Sequence, residues 1–150
     1  MIFDFGDFPG LYLDGYRRTS DPDWGYNCIA WALEKDTRWW WPDGKAPDGK
    51  DAFWPSDVPK KVTLPAFVKL FTSHGFKVVK DGNAAYESGF EKVAIYALGV
   101  KPTHAARQLS TGEWAHKMGR EIDLVTPRVT TVEGDVYGRV ARILKRKVTT

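Results

Sequence analysis

From Phe76 onward the chain reads as a succession of short strands separated by turns, and this constrains its fold more than any other feature. "FKVV" leads into the turn "KDGN", "EKVAIYAL" alternates over eight residues, "THAARQL" and "EWAHKM" flank "STG", and "YGRVARILKRK" closes the chain. The readable helices come earlier. One begins at Cys28 and runs to about Lys35, with Asn27 as N-cap because its side chain can accept a hydrogen bond from a free N–H of the first turn. The other lies in "TLPAFVKLFTSHGF", with Thr63 as N-cap, Pro65 in the first turn, Phe67, Leu70 and Phe71 on one stripe, and Gly75 as the stop. Helices first and an antiparallel sheet afterwards make an α+β arrangement.

Two stretches lack a regular period. Residues 1–24 are rich in Gly, Asp, Pro and aromatics and read as an extended N-terminal arm laid over the domain. Residues 39–60 interleave tryptophans with Pro, Gly and Asp, which favours turns, so they read as a long ordered loop. Three consecutive tryptophans cannot all face inward on a regular element, so at least one of Trp39, Trp40 and Trp41 should stay partly accessible.

The chain has 150 residues, 43% hydrophobic and 27% charged, which suits one folded domain and disfavours both disorder and a membrane span. A single cysteine rules out an internal disulfide, and the start "MIFDFGDFPG" has neither a basic nor an apolar leader region, so the expected location is the cytoplasm. Much of the net charge of +3 sits in Arg139, Arg142, Lys145, Arg146 and Lys147. A basic tail can attract phosphates, but here it alternates like a closing strand whose charges guard a solvated edge, so nucleic acid is a disfavoured partner.

The hairpin "THAARQLSTGEWAHKMG" brings chemistry together. A three-residue loop ending in Gly112 pairs Leu109 with Glu113, Arg107 with Ala115 and Ala106 with His116. His104, Ala106 and Gln108 then share a face with Trp114, His116 and Met118, and the two histidines become diagonal neighbours roughly 7 to 8 Å apart at the backbone. A thiol attacks as thiolate, favoured at a helix start or beside an imidazolium. Cys28 is the candidate nucleophile, His104 the general base, and His116 the orienting group, with Asp123 and Glu113 as alternatives for that third place. Register favours His116, because Glu113 points to the opposite face and Asp123 returns only if the chain folds back. The Cys28 N–H is the natural oxyanion donor, with Asn27 or Tyr26 as a second. His74, at a helix end, is assigned to capping. Cys28, His104 and His116 make only three ligands without compact spacing, so no metal is expected.

"YNCIAWAL" with "RWWWP", then "GFEKVAIYA", "THAARQ", "EWAHKMG" and "EGDVYGRV", resemble a family of small, largely uncharacterised bacterial proteins with a papain-like Cys-then-His order, from about Tyr26 to Leu144. The resemblance implies a papain-like cysteine proteinase fold and a thiol hydrolase needing no cofactor, whose third member departs from the usual pattern. The expected function is cleavage of an amide, peptide or isopeptide bond in a protein, peptide or glycopeptide, with no membrane partner; the same site could transfer the acyl group to an amine, or deamidate a glutamine, if water access differs. Trp39, Trp40, Trp41, Trp54 and Trp114 would line the substrate groove. The rival is a non-catalytic binding module on the same scaffold, using the tryptophan loop and the basic final strand.

Overall fold

The computed structural model describes residues 5–21, 23, 25–35, 38–118 and 122–148. It is an α+β structure of three short helices and a seven-stranded, wholly antiparallel sheet. The helices are α1 (Pro9–Asp14), α2 (Cys28–Ala32) and α3 (Leu64–Thr72). The strands are β1 (Arg17–Arg18), β2 (Lys77–Val78), β3 (Phe90–Leu98), β4 (Lys101–Gln108), β5 (Trp114–Lys117), β6 (Asp123–Thr126) and β7 (Arg139–Lys147), in the spatial order β1-β6-β5-β4-β3-β7-β2.

Two expectations change. The opening segment is not simply extended: Phe5–Asp7 form a 3-10 turn, α1 follows, and β1 pairs with β6 through Arg17 opposite Val125. Pro9 explains the helix, since its fixed φ suits a first turn. Residues 1–4, 22 and 24 of the predicted arm lie outside the described residues. The second change is β6, which the sequence reading left unassigned and which folds the chain back beside β5.

Both predicted caps are present. Asn27 Oδ1 accepts from Ala30 N–H at 3.3 Å, and Thr63 Oγ1 accepts from Ala66 N–H at 3.3 Å. Helix α2 ends at Ala32, earlier than predicted, with Glu34 in the left-handed region at φ 59°. Replacing Thr63 by Ala should cost about 1 kcal/mol, the usual worth of such a cap. A urea midpoint identical to wild type would show that the α3 cap contributes nothing.

Alternation along the strands divides the core into two layers. One face carries Val93, Ile95, Ala105 and Leu144 against α2, α3 and Trp40. The other carries Ala94, Tyr96, Ala106, Trp114, Leu124 and Ile143 against Phe8, Leu11 and Val132. The 39–60 loop is ordered, with Trp41 N–H donating to Phe53 O and Phe53 N–H to Trp39 O. Its aromatics grip α3: Trp41 and Trp54 lie 5.2 and 5.3 Å from the Phe67 ring.

Candidate functional site

The hairpin register is the one the sequence predicts. Leu109 N–H donates to Glu113 O, Arg107 pairs with Ala115, and Gly112 takes the positive φ of 89° that the loop needs. Ladder pairing between β4 and β5 is confined to Arg107–Ala115 and Gln108–Trp114. Beyond that point the strands part. Extended by two residues, the same register would set Ala105 opposite Lys117. Because ladder groups alternate in direction, the Ala105 N–H points into this gap.

Cys28 fills the opening. It begins α2, which packs on β4 and β5, and the backbone N–H groups of Ala105, Ile29 and Cys28 itself favour negative charge on its sulfur. The residue is 5% exposed, and burial pushes its thiol up to about 11, against which those N–H groups and the charge of Lys117 act. The Cys28 side chain is therefore a neutral thiol near neutral pH.

His104 projects on the other face of β4, with Ala106. Its Nε2 lies 3.0 Å from His116 Nδ1, and His116 Nε2 lies 3.0 Å from Thr126 Oγ1. Thr126 donates its own proton to Arg128 O at 3.0 Å, so it must accept from His116 Nε2–H. That sets both tautomers: His116 Nδ1 is an acceptor, His104 Nε2–H is the donor, and His104 Nδ1 carries the lone pair. This Nδ1 is buried with no hydrogen-bond partner. Burial, and for His104 also the neighbouring His116, lowers both imidazoles, His116 to about 3, so both are neutral at neutral pH.

Tyr137 locks His104 from above. Its ring stacks on the imidazole at 4.0 Å between centroids and an interplanar angle of 3°. The strand pairing skips Thr103 between Tyr96 and Ala97, a bulge immediately before His104, and Thr103 Oγ1 donates to Tyr137 O at 2.6 Å. Gly138 allows this approach: a Cβ there would sit 2.0 Å from Ala97 O. Burial raises the Tyr137 phenol, and a Cys28 thiolate would raise it further.

Residues 17–145 match a family described as a domain of unknown function, DUF7689. The chain belongs to that family. No curated protein and no solved structure matches it.

In this DUF7689 domain several predicted site residues lie elsewhere or are committed to structure. Glu113 accepts from Thr111 and Arg17, which hold its carboxyl below the usual range, so it is a surface pair and not the third member. Asp123 does return beside β5, opposite Lys117, but alternation puts it on the face away from His116; its Oδ2 accepts from Tyr26 Oη at 2.9 Å. Tyr26 Oη is thus already donating. Asn27 clamps Trp40, accepting from its N–H at 3.0 Å and donating to its carbonyl at 2.6 Å, a structural rather than an oxyanion role.

The tryptophans do not form one groove. Trp40 and Trp114 are buried in opposite layers, Trp41 and Trp54 pack on Phe67, and Trp39 remains half-buried beside a cleft with Arg38, Phe53 and Lys50. His74 caps as expected, with Nδ1 2.9 Å from Leu70 O. Among the described residues no group of three or more His, Cys, Asp or Glu could share a metal ion, and no helix is long and apolar enough to cross a membrane.

The sequence reading missed Thr126, Tyr137 and Lys117. Lys117 carried the clearest signal: a charged residue inside a short strand, on the face opposite His116, has no solvent side if both faces are covered.

Proposed function

We propose that this DUF7689 domain is a papain-like cysteine hydrolase acting on an amide, peptide or isopeptide bond. Cys28 is the nucleophile, His104 the base, and His116 the group that orients it. What carries this reading is the state of His104: one ring nitrogen is fixed by the His116–Thr126 chain, while the other holds a buried, unused lone pair. A general base needs both features.

Because thiol and imidazole are both neutral at rest, the proton moves as the bond forms. Cys28 Sγ attacks the substrate carbonyl while His104 Nδ1 takes the S–H proton; the imidazolium then protonates the leaving amine as the C–N bond breaks, leaving a thioester. Water attacks the thioester, giving its proton to His104, and the carboxylic acid departs as Cys28 regains its proton. The Cys28 N–H is the available oxyanion donor.

The test is the rate of Cys28 alkylation by iodoacetamide against pH, in wild type and His104→Ala, with folding followed by circular dichroism. Wild type should label faster by about 10²-fold, the scale of general-base assistance. Equal rates in two folded proteins would remove His104 from the mechanism.

The low exposure of Cys28 favours a second reading, a binding module whose surface is the Trp39 cleft. The basic final strand adds little to it. Lys145 pairs with Glu87 at 2.7 Å, and Arg146 pairs with Glu91 and Glu34.

A further inference from the structure

Lys117 is 0% exposed and belongs to the gap that Cys28 fills. It sits at the end of β5, on the face that α2 covers, directly opposite Asp123 of β6. Its Nζ lies over the Tyr26 ring, 5.1 Å from the centroid, and Tyr26 leads into the turn that opens α2 two residues later. The same tyrosine donates from its hydroxyl to Asp123 Oδ2, while Asp123 Oδ1 is buried with no hydrogen-bond partner. A buried ammonium is costly unless its surroundings offset the charge; the Tyr26 ring supplies a polarisable surface, and Asp123 stands opposite on the neighbouring strand.

We propose that Lys117 is the cation that stabilises negative charge on the Cys28 sulfur during attack, and that Tyr26 and Asp123 position its ammonium for this. The proposal rests on the nucleophilic role of Cys28. It divides the work around the sulfur between two sides: His104 removes the proton from one face of the sheet, and Lys117 offsets the resulting charge from the other. The titratable groups on the elements packed about Cys28 are Tyr26 before α2, His104 on β4, Lys117 on β5, Asp123 on β6 and Tyr137 in the turn before β7. Lys117 is the cationic member of this set, since both buried histidines are neutral. The electrostatics agree, because the Lys117 charge acts to lower the Cys28 thiol against the effect of burial.

The experiment uses the single cysteine as its own reporter. In protein carrying carbon-13 only in cysteine, the Cβ shift of Cys28 is titrated against pH in wild type, Lys117→Met and Lys117→Arg. Removing the charge with Met should move the Cys28 midpoint upward, because the cation that favours the thiolate is lost. Arg should keep the midpoint near wild type. A folded K117M with an unmoved midpoint overturns the proposal, as does a K117R midpoint that rises as far as that of K117M. If K117M does not fold, Lys117→Gln is titrated in its place with the same expectation. The titration involves no reaction, so it separates the two claims: iodoacetamide labelling that ignores His104 defeats the hydrolase reading, whereas an unmoved midpoint defeats only the role of Lys117.

Discussion

Lowering the pH from about 7 to about 5 should destabilise this protein by about 2 to 4 kcal/mol, well before its carboxylates titrate. The cause is the buried imidazole pair. His104 and His116 are neutral in the folded state, and burial holds His116 down to about 3 and His104 well below its ordinary value. In the unfolded chain both titrate near 6.5. Between those limits the unfolded state binds more protons, so stability is fully present above about 6.5 and is lost as pH falls toward the folded values. The loss should follow urea midpoints measured at each pH. It should shrink in His116→Gln, where one titrating group is gone and the amide can still meet His104 Nε2–H and Thr126. A wild-type midpoint that does not change across this window would mean that the imidazoles are not buried neutral, and the tautomer argument for His104 would fall with it.

Replacing Asn27 by Ala should cost about 3 kcal/mol, combining a lost helix cap with two backbone groups left without partners. Asn27 is 3% exposed and makes three contacts at once: it caps α2 through Ala30 N–H, accepts from Trp40 N–H, and donates to Trp40 O. Those contacts tie the start of the tryptophan loop to the residue before Cys28. Their removal should loosen α2 and Trp40 together, so Cys28 should also label faster with iodoacetamide in the variant than in wild type. Asn27→Asp keeps the acceptor for both N–H groups but places a carboxylate against the Trp40 carbonyl, and should fall nearly as far. A loss under about 1 kcal/mol for Asn27→Ala would mean that the cap alone matters and the clamp is replaced by water.

The local structure was largely legible because it depends on near neighbours. Asn27 and Thr63 announce helix starts through hydrogen bonds that span three residues, and Gly112 specifies the β4–β5 turn because the loop requires positive φ. Once that turn is set, period two places His104 and His116 on one face. Their rings meet at 5.3 Å between centroids, nearly parallel. α1 and β6 were missed for a related reason: each is short, and each is held by distant packing. β6 is defined by pairing with β5 on one side and β1 on the other, partners far apart in the chain.

The sequence by itself determined the α+β class, the caps of the two main helices, the register of the central hairpin, and hence that His104 and His116 are neighbours. Only the tertiary structure decided what those residues can do. Where β4 and β5 stop pairing depends on α2 entering the gap, and that contact brings Cys28 against Ala105 and within the field of Lys117. Likewise Tyr137 reaches His104 through a bulge and a glycine whose backbone lies against Ala97, residues about forty positions apart. Local rules carry a few residues at most. Burial, charge and tautomer arise where segments distant in the chain exclude water together, and no single segment contains that information.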